Sequence, residues 1–177
     1  MRALVVYESM FGDTEVIARA IGEGIEASMS AEVVEVGAAY CTVPDDVALL
    51  VVGAPTYAFS IWPSTWRDAA GPSSAVISRV RGIREWLGAL PGAMGGIEAT
   101  TFDTRAISRS IGSAALVARR RLDRLGYPIV AAPVSFRVTD ITGPPADGEL
   151  DRAQEWGIGL GAEVAARRPA RPLVRLA

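Results

Sequence analysis

Ala3-Leu4-Val5-Val6-Tyr7-Glu8-Ser9-Met10-Phe11-Gly12-Asp13-Thr14 is the stretch on which the fold turns. Five consecutive apolar residues end at a short loop, and a helical pattern opens near Asp13, with Ile17, Ile21 and Ile25 recurring every four residues. A continuous apolar run, as opposed to an alternating one, marks a strand covered on both faces. The loop between the two elements has Gly12 for a tight turn, hydroxyls at Ser9 and Thr14, and the free peptide N–H groups of a helix start. Such a loop suits a phosphate group held without any basic side chain. A capped strand–helix turn with no ligand is the other reading of this loop taken alone. Asp13 runs against the phosphate unless its carboxylate turns outward.

Outward from this loop the same alternation continues. Strand-length apolar runs occur at 32–36, 47–53, 93–101 and 129–138, the last interrupted by Pro133. Helical stripes lie between them: Val80, Ile83 and Leu87; then Ile111, Ala115, Ala118, Leu122 and Leu125, stopping at Gly126; then Leu150, Ala153, Gly157, Leu160 and Val164 behind an expected N-cap at Asp147. Five strand–helix alternations predict a doubly wound parallel α/β sheet and exclude an eightfold barrel. Ligands of such sheets sit beyond the carboxyl ends of the strands, so the site is expected in the loops after strands one, three and four.

Composition narrows the chemistry. The 177 residues are half apolar and suit one domain, expected over 1–166, with an Arg/Pro-rich tail at 167–177 that has no helical period. The chain has no His, Lys or Asn, which removes histidine acid–base catalysis, histidine metal sites and Schiff-base chemistry. Any redox or group-transfer chemistry is therefore imported with a cofactor. Cys41 is alone, and is expected to be a half-buried spacer. No run approaches a spanning helix or a secretory signal, so the expected location is cytoplasmic. Residues 1–60 carry nine acidic groups against two arginines, and 61–177 carry eleven against sixteen. The run Arg119-Arg120-Arg121 falls on the polar side of a helical pattern, so no nucleic-acid partner is expected.

Two glycine-bearing stretches are separated by their context. The opening loop has no Gly-Lys-Ser/Thr ending and is not a nucleoside-triphosphate loop. Gly157-Ile158-Gly159-Leu160-Gly161-Ala162 matches the spacing of a dinucleotide fingerprint, yet it lies inside a helical pattern with no strand before it, so the match is read as chance. Residues 57–77, with Phe59, Trp62, Pro63, Trp66 and Pro72, exceed an ordinary strand–helix connection. A lid or contact surface and plain packing over the sheet edge both account for them.

The third-strand loop, Gly53-Ala54-Pro55-Thr56-Tyr57-Ala58-Phe59, makes the pattern specific. Ser-x-x-Gly-x-Thr after strand one, together with Gly-x-Pro-Thr-Tyr after strand three, resembles the flavodoxin family over nearly the whole chain. Phe102-Asp103-Thr104-Arg105, Glu85-Trp86-Leu87 and Gly143-Pro144 resemble a flavodoxin-like subgroup of high-GC bacteria. The resemblance implies strand order 2-1-3-4-5 and noncovalent FMN, with the site at the strand-order switch. It implies that Ser9, Met10, Phe11, Gly12, Asp13 and Thr14 hold the phosphate. Pro55, Thr56, Tyr57, Ala58 and Phe59 would flank the flavin ring, and Thr101, Phe102, Asp103 and Arg105 would close its other side. Arg105 is either a partner for the reduced ring or a solvated surface arginine. Redox partner proteins are implied too, a flavin or iron–sulfur reductase and an acceptor, with an FMN-dependent quinone or protoporphyrinogen-type oxidoreductase as the enzymatic alternative. A binding module that keeps the fold with weak or no FMN binding is the third. Departures from the family pattern are Phe11 for Tyr or Thr, Asp13 for Asn, and Ser60 where the subgroup often has Gly.

Overall fold

The computed structural model describes residues 1–56, 77–78, 80–106, 112–140 and 143–167. Along the chain run β1 (Arg2–Tyr7), α1 (Asp13–Ile25), β2 (Ser30–Glu35), β3 (Val47–Pro55), α2 (Ile83–Ala89), β4 (Glu98–Ala106), α3 (Ala114–Arg124), β5 (Val134–Val138) and α4 (Glu149–Arg167). The five strands form one parallel sheet in the order β2-β1-β3-β4-β5. Across its centre Val5 lies beside Val33 on one side and Val51 on the other.

The continuous apolar runs have their cause in the pleat, which sends alternate residues to opposite faces. Leu4, Val6, Leu50 and Val52 pack with Ile83, Trp86, Ala118 and Leu122, beneath α2 and α3. Ala3, Val5, Leu49 and Val51 pack with Ile17, Ile21, Ile25, Ala153 and Val164, beneath α1 and α4. Both faces are covered, so neither set of positions is polar.

On the second face α1 and α4 meet at backbone distance. A Cβ at Gly24 would stand 2.1 Å from the Gln154 carbonyl oxygen, and one at Gly157 would stand 2.2 Å from that of Ile21. The glycines of 157–162 thus have a packing role: Gly157 and Gly161 face α1, while a Cβ at Gly159 would meet nothing within 4 Å.

Several expectations are corrected. No helix joins β2 to β3, so the five-fold strand–helix alternation fails there. Side chains near α2 hold that crossover instead: Arg81 donates from Nη2 to the Val36 and Ala39 carbonyls at 2.9 and 2.8 Å, and Trp86 Nε1 donates to the Tyr40 carbonyl at 2.8 Å. β4 begins five residues later than its apolar run, after Gly95 and Gly96 turn the chain at φ 76° and 73°. It continues through a polar stretch to Ala106. β5 starts only after Pro133, leaving Ile129 in an isolated bridge with Ala99. Val80 is 87% exposed and Leu150 is exposed, so neither joins its buried stripe. α4 starts at Glu149, after Gly148 at φ 78°, so Asp147 is not its N-cap. Cys41 is exposed. Arg167 belongs to α4 and pairs with Glu98 at 2.7 Å, leaving 168–177 outside the described residues along with Ile111.

Candidate functional site

The loop after β1 is built inward before it is built outward. Glu8, Ser9 and Met10 are fully buried. Glu8 accepts from the Ile83 N–H at 2.9 Å, fixing the first turn of α2 against the end of β1. Ser9 N–H donates to Ser78 Oγ at 3.0 Å, Ser78 N–H returns a bond to the Ser9 carbonyl at 2.9 Å, and Ile77 N–H donates to the Met10 carbonyl at 3.2 Å. The 77–78 segment therefore braces the loop from behind. Sequence reasoning missed Glu8 and Ser78; the signal for Glu8 was a carboxylate directly at the end of an apolar strand.

At the outer edge, Gly12 has φ 107°, a conformation that side chains disfavour, and donates its N–H to Ser9 Oγ at 3.1 Å. It is the N-cap of α1 and supplies no side chain to it. The first-turn N–H groups of Asp13, Thr14 and Glu15 have no carbonyl within the helix to accept them. With the helix dipole, this end attracts an anion. Phe11 is 37% exposed beside it. Asp13 opposes the anion, and burial pushes its carboxyl up to about 6. Glu15 does not crowd the same end, since it takes two bonds from Arg19, at 3.0 and 2.6 Å.

Thr14 lies one turn along, buried, with its hydroxyl 2.8 Å from that of Thr104 on β4. The exit of β3 is tied to the same strand: Thr56 N–H donates to the Thr104 carbonyl at 2.8 Å. Loops one, three and four thus converge on Thr104.

Asp103 forms the hub of this convergence. Its carboxylate is wholly buried, and Oδ2 accepts from Thr56 Oγ1 at 2.9 Å, Ser113 Oγ at 2.6 Å and Ala115 N–H at 3.1 Å. Thr56 Oγ1 in turn accepts from the Ala114 N–H at 2.8 Å. One carboxylate therefore joins the end of β3, the end of β4 and the start of α3. Arg105 is the countercharge, with Nη2 at 3.3 Å, and its side chain is only 15% exposed. The freely solvated reading of Arg105 does not hold.

The other nominated residues divide. Thr101 is buried and donates its hydroxyl to the Ala115 carbonyl at 2.9 Å. Phe102, nominated to close a ring site, lies in the core, its ring 6.0 Å from Phe136 and 6.5 Å from Trp156. It explains Gly53, where a Cβ would stand 2.0 Å from the Phe102 ring. Pro55 ends β3. Tyr57, Ala58 and Phe59, with Trp62 and Trp66, lie outside the described residues.

The assembled groups can bind an anion and hold loops in place, and they include no paired acid and base. Among the described residues, no group of three or more His, Cys, Asp or Glu is placed to hold a metal ion. No described helix is long and apolar enough to cross a membrane.

No family model matches the chain, and no curated protein matches it. Solved structures do. A flavodoxin from the domain Archaea is 19% identical, with a TM-score of 0.63 over 93% of this chain and 99% of its own. Oxidised flavodoxin 1 from Bacillus cereus is 15% identical, with a TM-score of 0.65 over 96% and 100%. The Streptococcus pneumonia TIGR4 flavodoxin is 15% identical, with a TM-score of 0.64 over 95% and 100%. At these identities the likeness establishes a flavodoxin-like fold.

Proposed function

We propose that the chain is an FMN-binding electron carrier of flavodoxin type. The observation that carries the reading is the open N-terminus of α1: it follows a glycine at positive φ, lies at the end of a central strand where strand order reverses, and has no side-chain cap. The peptide groups from Ser9 to Thr14 would hold the FMN phosphate. Residues 55–59 would flank the ring, and the Asp103–Arg105 pair would fix the edge of the site. FMN, when bound, supplies the redox chemistry. Asp103 positions Thr56, and through it the start of the ring-flanking segment. Exchange partners are a flavin or iron–sulfur reductase and an acceptor, met in the cytoplasm.

Desalting after incubation with FMN tests the reading. A carrier retains visible flavin absorbance in a one-to-one ratio and leaves NAD(P)H unoxidised when quinone is added without a partner reductase. Loss of all flavin on desalting defeats the proposal, and direct quinone reduction by NAD(P)H replaces the carrier with the enzyme.

A further inference from the structure

Between α2 and α3, on the face away from α1 and α4, lies a groove of about 390 Å³ lined by Arg84, Leu87, Gly88, Val117, Arg120, Arg121 and Arg124. Its floor is apolar, from Leu87 and Val117, and Gly88 leaves it open, since a Cβ there would meet nothing within 4 Å. Four arginines are among the residues that line the groove, and no carboxylate is. Arg121 is occupied with the backbone, donating to the Leu87 and Gly88 carbonyls at 3.1 and 3.3 Å. Arg120 and Arg124 have no hydrogen-bond or ion-pair partner among the described residues. They stand one turn apart on α3, where like charges repel.

The groove is separate from the strand-end site. α2 starts against Glu8 and α3 starts against Asp103, both at the carboxyl end of the sheet; Arg84 and Val117 are the lining residues nearer that end, whereas Leu87, Gly88, Arg120, Arg121 and Arg124 lie in the later halves of their helices. Along α3 the lining runs from Val117 to Arg124, roughly 10 Å at helical rise. That length and volume suit one small molecule and fall far short of a protein-sized interface.

We infer that this groove is a second ligand site, one that takes a small amphiphilic polyanion: an apolar body on Leu87 and Val117 with anionic oxygens facing Arg120 and Arg124. Guanidinium forks match carboxylate and phosphate oxygens equally, so both are of the class. The inference does not depend on FMN.

The test is a titration of the isotope-labelled full chain followed by amide NMR shifts. Naphthalene disulfonate is the probe, and pyrophosphate is the control with charge and no apolar body. The probe is expected to saturate shifts at Leu87, Gly88 and Val117, and pyrophosphate to bind about ten-fold more weakly or not at all. The exposed double substitution R120E/R124E is expected to weaken the probe by about ten-fold or more, and Gly88→Leu to block it by filling the groove. AMP and decanedioate then distinguish phosphate from carboxylate ligands, and saturation by either supports the site. Overturning results are shifts confined to the Ser9–Thr14 loop, probe binding unchanged in R120E/R124E, pyrophosphate binding as tight as the probe, or failure of both AMP and decanedioate to saturate.

Discussion

The two faces of the sheet are covered by different means. Against one face α1 and α4 touch through their backbones, at Gly24 and Gly157, with no room for a methyl group. Against the other, α2 and α3 are pinned by polar groups: Glu8 and Arg121 on α2, Asp103 and Ser113 on α3, and Arg81 and Trp86 on the crossover beneath them. The glycine face is steric and continuous along two helices. The polar face leaves a groove between its helices. The difference teaches where each kind of adjustment can occur. α1, which follows the loop proposed to hold the anion, is wedged against α4, while the opposite pair keeps open surface and Arg120 and Arg124, unpaired among the described residues.

Gly157→Ala breaks the steric face. Its methyl would meet main-chain atoms of α1, which cannot rotate away, so the helices must part. A loss of about 3 kcal/mol is expected, at the upper end for overpacking, read from urea unfolding. An unfolding midpoint within error of the parent would show that the contact is not tight. Asp103→Ala breaks the polar face at its main pin. It orphans the Thr56 and Ser113 hydroxyls and the Ala115 N–H, and a loss of about 2–3 kcal/mol is expected. Asp103→Asn keeps one acceptor and should recover about half. Equal losses for the two variants would rule out the pin as described.

Asp13 tests whether the steric face carries an electrostatic penalty at the start of α1. Its carboxyl titrates near 6 when folded, against 3.8 ordinarily, because burial disfavours the charge. The unfolded chain therefore ionises first as pH rises from about 4, and the folded state loses relative stability until about pH 6, beyond which the penalty is constant. Asp13→Asn removes that penalty. Two units correspond to about 3 kcal/mol in full, and partial solvent access reduces this to about 1–2 kcal/mol. The variant should be more stable than the parent at pH 7 and should lose that advantage by pH 4. If the gain is independent of pH, the cause is not ionisation.

The fold was legible wherever side chains report burial directly. The run from Ala3 to Tyr7 and the spacing of Ile17, Ile21 and Ile25 located β1 and α1, and two short motifs led to strand order 2-1-3-4-5. Elements built from polar residues were not legible. β4 runs on past the apolar run that ends at Thr101, through Asp103 and Thr104, which read as loop because a polar side chain's partner is invisible in one dimension; Thr101 itself is buried with its hydroxyl donating to the Ala115 carbonyl. The same blindness hid Asp103 as a hub. The ring of Phe102 lies in the core for a geometric reason: successive strand residues face opposite ways, and it points to the side that demands Gly53. The crossover between β2 and β3 lacks a helix because Arg81 and Trp86, more than forty residues away in sequence, satisfy its carbonyls.

The smallest expected effect sharpens the comparison most cleanly, because it uses one substitution on both faces. Gly159 in α4 and Gly88 in α2 are helical positions where a methyl meets nothing within 4 Å. Gly→Ala at either position removes unfolded-chain freedom, and each should gain about 0.5–1 kcal/mol. Gly159→Ala lies two residues from Gly157 on the same helix, so its gain beside the loss at Gly157 isolates the contact with α1 from any general intolerance of alanine in α4. Gly88→Ala does the same for α2, where the methyl enters the groove. A stabilised Gly159→Ala with a destabilised Gly88→Ala would mean that the groove closes in solution, and the contrast between the two faces would then be one of side chains alone.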